Sequence, residues 1–368
     1  MGIEVNKETM NFDIIYIIGG GPIGLLTGIL LSKEGFETKI FEEDSIVGYP
    51  QHCSGIVSKK VASFYPINMS QILVNKLYGV RLIVNDEIFF EFKSSIPKGF
   101  IIDRIALEKQ LYERYEKLGG KLKLKRRVNT DILKNGIWIN AGGAKELIKS
   151  GYKKVLIGLQ YDILCHDLDY MDRKIVNIHI DKRINPDYFN WIAPLSWNKF
   201  RIGSASKRGI RRIVNTLVKK ICYKQIFKVE KELSGFIIYG GPRNSFVNRN
   251  MVYVGDSAGM TKITTGGGLI YGAIGSHILA NCFTNNNLSE YRAIWLSLIR
   301  RELVLQKLLR YMYIKIPKKI LIDILSTLSR NEFFEKLLLL GDMDFHASSL
   351  FKLLLEKDFV KALKFKYK

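Results

Sequence analysis

Three glycines and a proline interrupt an apolar stretch near the start of this chain, and Gly19-Gly20-Gly21-Pro22-Ile23-Gly24 constrains its fold more than any other segment. Ahead of it, Phe12-Asp13-Ile14-Ile15-Tyr16-Ile17-Ile18 is β-branched and almost wholly apolar, the pattern of a strand covered on both faces of a parallel sheet. Behind it, Leu25 to Ser32 suits a helix that stops near Gly35. A second apolar run, Thr38-Lys39-Ile40-Phe41, ends in Glu42-Glu43-Asp44. Strand, glycine turn, helix, strand and terminal acid together make a dinucleotide fingerprint. Gly19 permits the tight turn, Gly21 lets backbone approach a pyrophosphate, and Gly24 lets helix and strand pack closely. Glu42 is then placed to accept hydrogen bonds from a ribose.

At 368 residues the chain exceeds one ordinary domain, so two intimately joined domains, or one with large insertions, are expected. A 47% hydrophobic share supports a sizeable core, and a 25% charged share argues against global disorder. The net charge of +22 suggests an anionic partner or surface, with a diffuse solvated coat as the bland alternative. Residues 14–31 are apolar enough to imitate a membrane span, but the glycines and proline inside them are explained by the strand–turn–helix reading. The lead carries Glu4, Glu8 and Asp13 and lacks the basic start of a signal peptide. A cytoplasmic protein is expected, with peripheral membrane attachment as an addition. Cys53, Cys165, Cys222 and Cys282 are widely spaced and the five histidines do not cluster, so neither a disulfide framework nor a metal site is indicated.

Further along, strands over 78–84 and 87–92 flank Asn85-Asp86 as a hairpin, and Asp103 caps a helix reaching Leu118 with Ala106, Leu107, Leu111 and Tyr115 on one face. Strands are expected over 121–128 and 153–164, then over 175–180, 188–194, 200–204 and 236–239, interrupted by a basic helix over 210–222. Val252-Tyr253-Val254-Gly255-Asp256 is again a buried strand entering a turn. A helix over 269–281 follows, and from Leu288 the chain reads as Leu/Lys-rich helix. The predicted class is α/β. A discontinuous Rossmann-like dinucleotide domain (11–66, 99–160 and 245–287) holds an inserted, mostly antiparallel sheet as substrate domain (67–98 and 161–244), and residues 288–368 form a helical C-terminal region.

Gly255-Asp256-Ser257-Ala258-Gly259 and Thr264-Thr265-Gly266-Gly267-Gly268-Leu269 supply a second glycine-rich site. A carboxylate at the end of a buried strand can accept from polyol hydroxyls, and a glycine run before a helix presents backbone N–H groups. Two such turns, far apart in sequence, suit FAD better than NAD.

In order along the chain, GGGPIG (19–24), QHCSG (51–55), Asp103-Arg104, YFNWIAP (188–194), GDSAG (255–259) and TTGGGLIYG (264–272) resemble the geranylgeranyl reductase family of flavoproteins, within the p-hydroxybenzoate hydroxylase-like FAD superfamily. The resemblance implies that Gly19, Gly21, Gly24 and Glu42 hold the adenosine diphosphate half of FAD. Arg104 would contact the cofactor, the Val128 backbone would meet adenine, and Asp256 would bind the ribityl chain. Gly267, Gly268 and Leu269 would sit against the isoalloxazine, and Cys53 and Ser54 on its reactive side. Where relatives carry Ala-Asp-Gly, this chain has Ala141-Gly142-Gly143, which bears on how flavin or substrate is positioned.

Cys53 is the candidate catalytic residue, as a proton relay or gate, against the alternative of a small side chain filling space. Tyr188, Trp191 and Pro194 are candidate walls of an apolar substrate channel, against ordinary sheet packing. Basic patches at 207–212 and 219–231, with lysines after Lys315, suit an anionic membrane or an acidic electron carrier such as ferredoxin. No stacking platform accompanies them, so nucleic acid is not an expected partner. The expected function is an FAD-dependent reductase that saturates geranylgeranyl or other isoprenoid chains of membrane lipids, with ferredoxin or NAD(P)H as donor. The alternatives are an FAD-dependent monooxygenase and a non-catalytic flavin-binding redox sensor or adaptor.

Overall fold

The computed structural model describes residues 14–129, 136–165, 171–223, 225–329 and 333–355. The expectations for Phe12 and Asp13, for the acidic lead with Glu4 and Glu8, and for the chain beyond 355 lie outside them.

The apolar run before the glycines forms the strand Ile15–Ile18 at the heart of a six-stranded sheet. It pairs in parallel with Thr38–Phe41 on one side and Ile137–Asn140 on the other. Lys121–Lys123 extends the sheet beyond Thr38–Phe41, and Met251–Tyr253 beyond Ile137–Asn140, both in parallel. Val247–Asn248 closes one edge with an antiparallel pair. Ile15, Ile17, Ile40 and Ile139 are all buried, as a sheet covered on both faces requires. The first helix, Pro22–Lys33, has proline in its first turn, where the absent N–H costs nothing. Its neighbours are the late helix Leu269–Thr284 and the helix Arg104–Lys117, which buries Leu107, Leu111 and Tyr115.

The inserted sheet has seven strands, in the order Phe227–Ile238, Val155–Cys165, Lys199–Ser206, Asn190–Pro194, Ile175–Ile180, Gly79–Val84 and Glu87–Lys93. Every pairing is antiparallel except that of Ile175–Ile180 with Gly79–Val84. Asn85 and Asp86 both have positive φ (50° and 80°), which gives the expected two-residue hairpin. The amphipathic helix Ile210–Ile221 covers one face, burying Val214, Leu217 and Val218 against Ile192, Phe200 and Ile202.

Three expectations need correction. The strand after Gly120 stops at Lys123, because Lys125 turns the backbone to φ 54°, so Val128 lies in the loop beyond it. A boundary at residue 160 cuts the strand Val155–Cys165, whose eleven residues all pair with Phe227–Ile238 in the inserted sheet, with a shift of register after Asp162. Residues 67–98 divide between two sheets: the hairpin joins the inserted one, whereas Leu73–Leu77 pairs with Gly99–Ile102 in a separate three-stranded sheet completed by Ile56–Val57. Among the described residues, the C-terminal region holds the helices Tyr291–Lys315, Lys318–Ser329, Phe333–Leu340 and His346–Leu354. Among the described residues no helix is long and apolar enough to cross a membrane, and no group of three His, Cys, Asp or Glu is gathered as metal ligands would be.

Candidate functional site

The two glycine-rich segments meet. Ile23, inside the first, packs where a Cβ on Gly255 or Gly272 would stand (3.0 and 2.6 Å from its side chain). One turn further, Thr27 Oγ1 and Ser276 Oγ share a hydrogen bond of 2.9 Å, so the early and late helices are joined just behind their glycine turns.

At the early turn Gly19 adopts φ 96°, and a side chain there would strike the carbonyl of Ala141. A Cβ on Gly24 would lie 1.9 Å from the Gly19 oxygen, whereas around Gly21 a Cβ would meet nothing within 4 Å. Gly24 is thus an internal packing glycine and Gly21 faces open space, the distinction the fingerprint demands. Glu42 closes the turn by accepting from Gly20 N (2.5 Å) and Asp44 N (2.9 Å). The loop carrying Val128 runs beside it, with Arg126 N donating to Glu42 O at 2.7 Å. At Gly142 the room for a side chain is taken by Glu146, whose Cγ would be 2.7 Å from a Cβ. Glu146 Oε2 is in turn hydrogen-bonded to Asn140 Nδ2 at 3.4 Å.

The late turn runs from the strand Met251–Tyr253 through a 3₁₀ turn, Gly255–Ala258, to the helix Leu269–Thr284. A Cβ on Gly268 would sit 2.4 Å from Asp256 Oδ1, so glycine brings this carboxylate against the start of the helix. Burial pushes the Asp256 carboxyl up to about 6, although Arg104 pulls the other way. The Leu269 carbonyl accepts from the Tyr65 hydroxyl (2.8 Å), and burial drives that phenol far above its usual range.

Near Asp256 of the late turn and Cys53 stands Arg104, at the start of a helix capped by Asp103, whose Oδ1 accepts from Ile105 N (2.8 Å) and Ala106 N (3.2 Å). Its Nη2 donates to Glu108 Oε1 at 2.6 Å, both side chains being largely enclosed. Burial opposes charge on each partner, and Glu108, Cys53 and Tyr65 favour it on Arg104, whose pKa is raised; burial likewise raises that of Glu108. The Arg104 Nε is buried without a partner. An orphaned cationic donor costs free energy unless an anion meets it. A dinucleotide fits these residues: open room at Gly21 for a pyrophosphate, an unspent guanidinium edge, and a desolvated carboxylate at Asp256 for hydroxyl donors.

Cys53 lies in a loop fastened at several points. Gly55 N donates to its Sγ at 3.4 Å, and Ser54 O accepts from Arg201 Nη1 at 2.6 Å. Arg201 is itself held by Asp162 in a buried two-pronged pair (2.6 and 2.8 Å). His52 Nδ1 meets Ser234 O at 2.5 Å, while Gln160 Nε2 donates to His52 O (3.3 Å) and its Oε1 accepts from Trp191 Nε1 (3.3 Å). Trp191 is therefore tied to the cysteine loop and also packs with Tyr188, Leu156 and Ala205. Pro194 is not brought to them; it ends its strand, and its carbonyl accepts from Asn75 Nδ2 at 2.8 Å.

The C-terminal region, which the sequence connected with the site through no motif, props the late loop. Lys262 Nζ pairs with Asp344 Oδ1 (3.1 Å), and Asp344 Oδ2 accepts from Ser58 Oγ (2.5 Å). Thr264 Oγ1 meets His346 Nε2 at 2.6 Å, and Gln306 accepts from Ile263 N (2.7 Å) and donates to the Tyr271 hydroxyl (3.0 Å). Glu302 accepts from Ala347 N and Ser348 N (2.9 and 2.7 Å), capping the helix that carries His346. Apart from Thr264 and Tyr271, which fall within the late glycine-rich motif, none of these residues, nor Tyr65, Glu108, Arg201 or Asp162, stood out in the sequence. Apart from Glu108, one helical turn from Arg104, each lies tens to hundreds of positions from its partner, with nothing local to mark it. The basic patches proved partly neutralised: Arg211 pairs with Glu232 and Lys220 with Asp86.

No family model matches the chain. It is 24% identical to an uncharacterised protein of Methanocaldococcus jannaschii, over 95% of this chain and 96% of that one. It is 23% identical to a digeranylgeranylglycerophospholipid reductase of Methanococcus vannielii, over 77% of this chain and 82% of the relative. The fold superposes on that of a geranylgeranyl bacteriochlorophyll reductase-like protein of Thermoplasma acidophilum with TM-score 0.78 and 17% identity, covering 96% and 98% of the two chains. A flavin-dependent brominase shares the fold at TM-score 0.66 and 14% identity, over 94% of this chain and 99% of its own. The resemblance read from the motifs agrees with these comparisons: relatives carry the name digeranylgeranylglycerophospholipid reductase, and the solved structures share the fold.

Proposed function

We propose that the chain is an FAD-dependent oxidoreductase that hydrogenates double bonds of geranylgeranyl or related isoprenoid chains, with a membrane lipid as substrate. The observation that carries this reading is the meeting of the two glycine turns, with Asp256 and Cys53 near Arg104, whose Nε is buried and, among the described residues, unpartnered. The relatives named as digeranylgeranylglycerophospholipid reductases support the choice of chemistry. When bound, reduced FAD would supply hydride to an alkene carbon.

The chain's own residues hold and orient. Gly19, Gly21, Gly24 and Glu42 would take the adenosine diphosphate half, with the Val128 backbone at the adenine and Arg104 against the pyrophosphate. Asp256 would accept from the ribityl hydroxyls, and Gly267, Gly268 and Leu269 would lie along the ring. Saturating an alkene also requires a proton on the second carbon. Cys53 Sγ, on a loop steadied by Arg201 and Gln160, would hold or relay it, with Ser54 beside it. Tyr188 and Trp191 would wall the isoprenoid path; Pro194 shapes the far end of the same strand.

Membrane contact is supported by one exposed face of Tyr291–Lys315, where Val304, Leu308 and Tyr311 recur at helical spacing among exposed Arg300, Arg301 and Lys307. The test is anaerobic incubation of the purified, chemically reduced flavoprotein with geranylgeranyl ether lipids, followed by mass spectrometry. A gain of two mass units per reduced bond is expected. Unchanged lipids, alongside a competent reductase control, would overturn the reading, and oxygen-dependent gain of sixteen units would replace it with a monooxygenase.

A further inference from the structure

Near the end of the long helix, Arg310 is turned inward and is only 8% exposed, yet no carboxylate meets it. Among the described residues it makes no hydrogen bond or ion pair. Its guanidinium lies over the rings of Tyr239 (4.1 Å to the centroid) and Tyr188 (5.7 Å), and its Nε is enclosed without a partner. The hydroxyls of Tyr188, 2% exposed, and of Tyr313 are likewise buried and unpartnered. Lys182 adds a second cation with no acid, its Nζ 5.5 Å from the Tyr313 centroid and donating to Ile316 O at 2.9 Å. The neighbouring acid, Asp187, is already engaged by Ser206 Oγ (2.9 Å) and Lys207 N (3.0 Å). Burial lowers the pKa of Arg310 and pushes that of Tyr313 up to about 12, the responses of groups that have lost water without gaining counterparts.

The cluster is rich in donors and poor in acceptors. Stacking on two tyrosine faces relieves a desolvated guanidinium only in part. The complement is an anion with several acceptor oxygens, and a phosphate group satisfies a guanidinium and two hydroxyls together. Position supports the match. Tyr239 directly follows the strand whose Ile237 packs against Gly266 of the late glycine loop, and Tyr188 shares an apolar cluster with Trp191 and Ile237. A donor-rich end and an apolar floor thus lie along one path beside the flavin loop.

We propose that Arg310, with the hydroxyls of Tyr188 and Tyr313, binds the phosphate of the substrate lipid's head group and so sets which double bonds reach the reacting centre. The identity of the ligand rests on the reductase reading above; the binding measurement does not depend on turnover. Equilibrium binding to the oxidised flavoprotein is compared for geranylgeranylglyceryl phosphate and for the neutral geranylgeranylglycerol ether, both in neutral detergent micelles. Arg310→Gln is expected to weaken the phosphate lipid by about 10- to 100-fold and leave the neutral lipid unchanged. Tyr188→Phe and Tyr313→Phe are each expected to cost about 3- to 10-fold for the phosphate lipid, with Tm unchanged or higher, because an orphan hydroxyl is removed. Equal weakening of both lipids in Arg310→Gln, or none, would overturn the proposal, as would a fall in Tm without loss of lipid phosphate in the phenylalanine variants. Inorganic phosphate is the second probe. If Arg310→Gln abolished its binding while leaving the phosphate lipid unaffected, the cluster would hold a free anion and the head-group assignment would fail. Absence of turnover on every geranylgeranyl lipid would count against the reductase reading alone, leaving the binding difference to decide this site.

Discussion

The early and late glycine turns present the same chemistry, backbone N–H groups beside a carboxylate, but are held in place by different means. The early one is largely self-contained: Gly19, Gly24 and Glu42 position one another within about one βαβ unit, with the carbonyl of Ala141 close against Gly19. The late one depends on remote chain. Lys262, Ile263 and Thr264 are secured by Asp344, Gln306 and His346, and Ile237 fills the space over Gly266. A turn specified locally tolerates remote change; a turn propped from elsewhere transmits it to the site.

Four substitutions probe that contrast. The largest effect is expected from Gly24→Ala, whose Cβ would stand 1.9 Å from the Gly19 oxygen. Backbone must move, and a loss of about 5 kcal/mol of stability with no retained flavin is expected in urea unfolding and in absorbance near 450 nm. Next is Asp344→Ala, which leaves Lys262 buried without its partner. Breaking such a pair costs about 3–5 kcal/mol, and flavin should be held more weakly although no residue of the early turn has changed. A cost under about 1 kcal/mol with unaltered flavin affinity would show that the late loop does not need its prop.

Asp256 gives a pH-dependent test. Its folded-state value, about 6, lies above its ordinary 3.8. The folded apo-protein therefore holds this proton more tightly than the unfolded chain does. The stabilising contribution is full below about pH 4 and is lost as pH rises through about 6. Asp256→Asn should match wild type at pH 4 and exceed it by on the order of 2 kcal/mol at pH 7.5 in the apo form, while retaining flavin less well. Equal pH profiles for the two proteins would remove the carboxylate from this role. The smallest effect on stability belongs to Gly21→Ala, because a Cβ there meets nothing. A change within about 0.5 kcal/mol is expected, coupled to a marked loss of flavin. The Gly21 and Gly24 variants together separate a glycine kept for a ligand from one kept for packing.

Much of the parallel core was legible because its signals are local. Ile15 to Ile18, the glycine turn and Asp103 at its helix cap each act within a few residues, and alternation or helical spacing exposes them directly. The Asn85-Asp86 hairpin was readable for the same reason. Strand limits were less so: Val128 fell outside the strand expected for it because a single backbone turn at Lys125 ended the pairing. The polar framework of the site was not legible. Arg201 and Asp162 form a pair only because Val155–Cys165 and Lys199–Ser206 adopt one register, in which Asp162 stands opposite Arg201. A slip of one residue would turn one of them to the other face.

Sequence alone determined a parallel α/β core, two glycine-rich turns with Glu42 and Asp256 at their ends, and the family to be compared. Those features follow from backbone sterics and short-range periodicity, which act on neighbours in the chain. Only the tertiary structure decided that Arg104 stands near Asp256 with an unmet donor, that Asp344 and His346 brace the late loop, and that Arg310 lies buried among tyrosines without an acid. Desolvation and pairing are properties of what surrounds a side chain in space, and sequence order does not carry that information until the sheets have found their register.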